Sequence, residues 1–193
     1  MIALTADDAL LIADIQNDFL PGGALGIAGG DQILPVLQGY MTRFQTRRLP
    51  IWLSRDWHPP DHCSFREQGG PWPVHCVADT PGSLPPSSFH PPPQALIIYK
   101  ATTRDREAYS VFQGTSLDRD LRGRNIRRLF IGGLATDYCV FNTVKDGLAL
   151  GYAIHLLVDG IRAVNVHPTD GTQAEEEMIR LGSHPTRLED LAT

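Results

Sequence analysis

The chain has 193 residues, 42% hydrophobic and 20% charged, with a formal net charge of -5, which describes one ordinary soluble domain able to bury about 70% of the surface its unfolded form exposes. Basic residues are scattered without a continuous stripe, which excludes nucleic acid and anionic membranes as main partners. Asp7 and Asp8 stand where a signal peptide needs positive charge, and the three cysteines lack framework spacing, so we expect reduced thiols in a cytoplasmic protein.

Residues 9–15 (ALLIADI) are apolar on both faces and too short for a helix, as a central parallel strand would be. The turn material of 21–30 leads to Asp31, expected to cap a helix running to about Arg48 with Pro35 in its first turn. A second strand is predicted at Ile51–Ser54, followed at once by Asp56 and His58. Residues 59–93 then hold ten of the 15 prolines and no sustained periodicity; an irregular excursion of that length inside a domain suits a lid or binding loop. Further strands are predicted at Ala95–Tyr99, Arg128–Ile131 and Ala153–Val158. Thr136 is expected to cap a helix reaching about Leu150, and Asp170 to open another ending at Leu181. Alternating strands and helices predict a single three-layer α/β/α domain over 1–193, with a mostly parallel, doubly wound, Rossmann-like sheet.

Ligands of open parallel sheets sit beyond the carboxyl ends of the strands. Asp14, Asp56, His58, Lys100 and Cys139 all fall on that rim. Singly, each has a plain structural explanation: a turn-forming carboxylate, a snorkelling amine, a thiol packed as a small hydrophobe. Together they offer an acid, an ammonium, a thiol and metal ligands. Only two of the 17 basic residues are lysines, Lys100 and Lys145, so Lys100 stands where a compact point charge suits better than a guanidinium. Cys139, about three residues after Thr136, is expected near a helix N-terminus that lowers its thiol pKa. Asp56 and His58, two apart in extended chain, leave on one face. His62 and His75 lie on the same excursion, and imidazole with carboxylate suits Zn, Fe or Mn. A structural zinc on the His62-Cys63 and His75-Cys76 pairs is disfavoured because adjacent side chains diverge. Phe19, Trp57 and Trp72 are candidate walls of an aromatic pocket.

These segments resemble the nicotinamidase and pyrazinamidase group of the isochorismatase-like cysteine hydrolases. The resemblance is carried by IADIQNDFLPGGAL (12–25), SRDWHPPDHCSF (54–65), GGPWPVHCV (69–77), YKATTRDREAYSVFQGT (99–115) and GGLATDYCVFNTVKDGLALGY (132–152). It implies Asp14, Lys100 and Cys139 as a catalytic triad, and Asp56, His58 and His75 as ligands of one divalent ion, zinc first with iron or manganese as alternatives. His62 falls where members supply a further ligand or a supporting group. Phe19, Trp72 and Tyr138 would bind the substrate ring, with Tyr109 at the pocket edge. The N–H groups of Ala135 and Cys139 would form an oxyanion hole beside a non-proline cis peptide. The excursion at 56–93 becomes a metal-binding and lid segment. The implied reaction is hydrolysis of nicotinamide, with pyrazinamide as an analogue, to the acid and ammonia through a cysteine thioester, a step of NAD salvage. Homo-oligomers occur in the family. Three alternatives remain: a related amidase acting on another small amide, a metal-hydroxide hydrolase of another amide or ester with a structural Cys139, and a binding module without turnover.

Overall fold

Every residue of the first strand, β1 (Asp8–Ala13), is buried because its alternate side chains feed two cores. Leu10 and Ile12 join one cluster with Leu37, Tyr40, Met41 and Phe44, whereas Ala9, Leu11 and Ala13 join another with Leu121, Val144 and Met178. The computed structural model describes residues 1–192. After β1 come β2 (Ile51–Asp56), β3 (Leu96–Lys100), β4 (Arg128–Leu134), β5 (Ala153–Arg162) and β6 (His184–Thr186). They form one six-stranded sheet in the order β3-β2-β1-β4-β5-β6, parallel throughout. The helices are α1 (Leu34–Thr46), α2 (Leu117–Gly123), α3 (Phe141–Ala149) and α4 (Asp170–Arg180). The core of α1 packs one face of the sheet, and residues of α2, α3 and α4 pack the other. This is the three-layer, doubly wound architecture expected, with the strand order reversing between β1 and β4.

Register determines what meets at the rim. Asp56 and Lys100, the last residues of β2 and β3, are paired partners. Ala13 at the end of β1 pairs with Gly133. Gly133 has φ +111°, and a Cβ there would strike the backbone of Ala13, so only glycine lets β4 pass this close.

Several expectations are corrected. Asp31 lies inside a 3-10 turn (Gly30–Ile33) and α1 begins after it without a side-chain cap. Thr136 caps nothing: it opens a π-helical turn (Thr136–Val140) preceded by Ala135, and α3 starts at Phe141. β5 runs on to Arg162. Both α2 and β6 are additions; α2 buries only Leu117 and Leu121, and β6 is three residues with a central proline, too little for periodicity to register. The proline-rich excursion carries 3-10 turns at Arg66–Gln68 and Pro81–Ser83 and isolated parallel bridges that join His58 to Val77 and Phe65 to Trp72. It is tied to the segment after β1: Asn17 N–H donates to Leu84 O at 2.9 Å, and Cys76 N–H to Asp18 Oδ2 at 2.7 Å. No helix among the described residues is long and apolar enough to cross a membrane.

Candidate active site and metal centre

Asp14 follows β1 with φ 49°, a left-handed conformation that aspartate tolerates better than most residues. It is fully buried. Its N–H donates to Ser54 O at 3.2 Å, and Ser54 Oγ donates to its Oδ1 at 2.7 Å. Lys100, also buried, directs its ammonium at Asp56 Oδ1 (2.5 Å), Ala108 O (3.1 Å) and Cys139 Sγ (3.3 Å). Its Nζ lies 3.0 Å from Asp14 Oδ2, an oxygen that has no hydrogen bond. Acid, amine and thiol therefore meet beyond the strand ends. Ligand atoms of Asp14, Asp56 and Cys139 lie within 4.8 Å of one another, but the Lys100 ammonium already serves as the cation among them.

The acidity of the thiol reverses the expectation. Burial pushes Cys139 well above its ordinary value, and Asp14 and Asp56 add to that against the pull of Lys100. A helix-terminal field does not dominate in so enclosed a place. Burial likewise raises the Asp14 carboxyl, opposed by Lys100 and the Ser54 bond. Burial alone would lower Lys100, yet Asp14, Asp56 and Cys139 outweigh it and hold the ammonium well above its usual value. Burial thus favours the neutral thiol at Cys139.

Asp56, His58 and His75 form the second cluster, their ligand atoms within 4.8 Å of one another. His58 Nδ1 is 3.3 Å from Ala101 O, and His75 Nδ1 is 2.8 Å from Pro73 O. A carbonyl only accepts, so each Nδ1 carries the proton and each Nε2 keeps its lone pair. His58 Nε2 is buried without a hydrogen bond and lies 3.8 Å from Asp56 Oδ2. Burial, then His75 and His62, push His58 down to about 2, so the ring is neutral. An orphaned buried nitrogen beside a second imidazole and a carboxylate fits a divalent ion. His62 stands next to this group: Nδ1 is 2.7 Å from Ser64 Oγ, Nε2 is 3.1 Å from Arg106 O, and its ring stacks on His58 at 4.2 Å. Both its nitrogens are engaged.

A small pocket opens above Cys139, Asp56 and Ala135, with Phe19, Trp72 and Tyr138 around it. Trp72 meets Tyr138 edge-on at 4.9 Å, and its Nε1–H donates to Tyr109 Oη at 3.0 Å. Phe19 leans on His75 at 5.6 Å. The Leu134–Ala135 peptide is cis, and in the turn that follows Tyr138 N–H and Val140 N–H both donate to Ala135 O, at 3.2 and 3.0 Å. Trp57 is not a wall; it packs on Tyr99 at 4.7 Å. Cys63 and Cys76 are free. His155 stacks on Phe130 and His167 approaches Asp170, both outside the pocket. Sequence reasoning missed Leu25 and Val164 in the wall, and also Ser54, Gln16 and Thr143. Gln16 Nε2 donates to Asp56 O and Ser83 O, and its Oε1 accepts from Asp56 N–H. Thr143 Oγ1 donates to Cys139 O at 2.6 Å and accepts from Val111 N–H. Ser54, a polar residue on the Asp56 face of an apolar strand, carried a readable signal.

The sequence model described as Isochorismatase domain matches residues 8–190. The nicotinamidase of Escherichia coli (strain K12) is 37% identical, with 94% of this chain and 95% of that protein aligned. The structure of a Pyrococcus horikoshii pyrazinamidase in complex with zinc is similar at TM-score 0.90 and 44% identity, covering 94% of this chain and 99% of the other. A structure of PnC1 from L. infantum in complex with nicotinate gives TM-score 0.92 at 32% identity, covering 99% and 98%.

Proposed function

The chain belongs to the isochorismatase domain family and is an amide hydrolase, and from that premise we propose that it converts nicotinamide and water to nicotinate and ammonia through a thioester on Cys139. The observation carrying the reading is the single ammonium of Lys100 in contact with Asp14, Asp56 and Cys139 at the base of an aromatic pocket. Pyrazinamide, with a ring nitrogen in the same relation to its amide, would be accepted too.

An amide is a poor electrophile, so hydrolysis needs an activated nucleophile, donors for the developing oxyanion and an acid for the departing nitrogen. Asp14 takes the thiol proton as Cys139 Sγ attacks the carboxamide carbon. The N–H groups of Ala135 and Cys139 receive the oxyanion. Asp14 returns the proton to the leaving nitrogen, and ammonia departs. Asp14 then deprotonates a water that attacks the thioester carbon, and the sulfur leaves with a proton restored through Asp14. Lys100 keeps thiolate and carboxylates compatible in one buried space. Asp56, His58 and His75 would hold a divalent ion, zinc as in the Pyrococcus relative, which when bound supplies a Lewis-acid contact for the ring nitrogen. Phe19, Trp72 and Tyr138 pack the ring and exclude water, so that binding energy orients the amide against the sulfur.

Ammonia release from nicotinamide by the purified protein tests this reading. Cys139→Ala should lower kcat at least about 10³-fold. Benzamide, equal in shape but without the ring nitrogen, should be a poor substrate; equal efficiency on both would remove the role assigned to the metal cluster.

A further inference from the structure

The two oxygens of the Asp14 carboxylate are not equivalent. Oδ1 accepts from Ser54 Oγ at 2.7 Å. Oδ2 has no hydrogen bond, although it lies 3.0 Å from Lys100 Nζ. The ammonium explains this: its hydrogen bonds go to Asp56, Ala108 O and Cys139, which uses three donors on three acceptors and leaves its own hold on Asp14 to charge, with the Cys139 thiol as the other side-chain donor beside that carboxyl.

A carboxylate turns about its last torsion with little preference. Beside an ammonium and without another tether, it would rotate to share both oxygens with the cation. We infer that Ser54 is a positioning residue for the acid–base step: its hydroxyl pins Oδ1, so that Oδ2 alone is presented to the thiol. This rests on the reading above. Ser54 is suited to the task because it is buried, sits on β2 beside the end of β1, and also accepts the Asp14 N–H through its own carbonyl. Backbone and side chain of one residue thus clamp the acid at two points. As the sulfur attacks, the Sγ–H bond breaks and an Oδ2–H bond forms, while the Ser54 hydroxyl continues to donate to Oδ1. The proton therefore stays on the oxygen that faces the reacting centre, and passes from Oδ2 to the departing nitrogen.

The test uses Ser54→Thr and Ser54→Val, alike in shape and different in the hydroxyl, with Ser54→Ala, which only removes an atom, carrying the comparison if the valine variant does not fold. Two readouts are taken on the full chain: KM and kcat for ammonia release, and the rate at which iodoacetamide alkylates Cys139, followed by peptide mass. The alanine and valine variants should lose about 10- to 100-fold in kcat with KM within about twofold of the parent, and Ser54→Thr should recover most of the loss. Alkylation of Cys139 should slow in the same variants while that of Cys63 does not change. Equal rates for threonine and valine, a loss confined to KM, or unchanged alkylation would overturn the inference. If the parent protein releases no ammonia from nicotinamide, the substrate reading fails, and the alkylation series still decides the role of Ser54.

Discussion

Lys100 joins the chemistry of the site to its stability. It is buried among two carboxylates, a carbonyl and a thiol, so its removal leaves Asp14 and Asp56 enclosed without a counter-charge. Lys100→Met should cost about 3–5 kcal/mol in urea unfolding, the range for breaking a buried ion pair from one side, and should abolish ammonia release. Lys100→Arg should fail as well, because a planar guanidinium cannot aim three donors into the space an ammonium fills. The scarcity of lysine in an arginine-rich chain is thereby given a local reason at this one position.

Between elements, the site depends on ties that cross from one strand end to the next. Gln16 binds both the N–H and the C=O of Asp56, at 2.8 Å each, and reaches Ser83 O at 3.0 Å. It links the segment after β1, the end of β2 and the proline-rich excursion. Gln16→Ala leaves those backbone groups unpaired in a buried place; unfolding free energy should fall by about 1–3 kcal/mol. Metal affinity, read by competition with a chromophoric chelator, should drop about 10- to 100-fold, as for other partners that hold a ligand from behind. Gly133→Ala tests the close passage of β4 against β1. With φ +111° and the Ala13 backbone in the way of a Cβ, it should destabilise by more than about 2 kcal/mol, seen as a lowered urea midpoint.

Across the molecule, pH acts through a histidine far from the pocket. Burial, then Arg128 and His184, lower His155 from 6.5 to about 4. The folded protein favours the neutral ring, and the unfolded chain takes the proton more readily. That contribution is complete above pH 6.5 and is lost as pH falls toward about 4. The ring is only half-buried, so screening reduces the loss to roughly 1–2 kcal/mol. Urea melts across that window should show the decline, and His155→Phe, which keeps an aromatic on Phe130, should flatten it. The metal cluster acts in the opposite sense: a divalent ion at about 100 times its Kd should add about 2.7 kcal/mol to the native state. Thermal unfolding with zinc and with chelator should show a raised Tm that His58→Ala abolishes.

Five of the six strands, their parallel arrangement and the rim on which they end could be read from the chain, because apolar runs, turn residues and strand ends are local features. Residue type combined with position at those strand ends marked Asp14, Asp56, His58, Lys100 and Cys139 for the same reason. Packing decided the rest. The pairing of Asp56 with Lys100 is a matter of register, and the Ser54 bond to Asp14 joins residues forty apart. Enclosure, which no spacing reports, turned the thiol toward its neutral form when a helix terminus was expected to ionise it. Partners for both nitrogens of His62 come from Ser64 and from Arg106, on a segment forty-four residues away. Local pattern names the groups that meet at the strand ends; only the folded chain settles their distances and their hydrogen-bond partners.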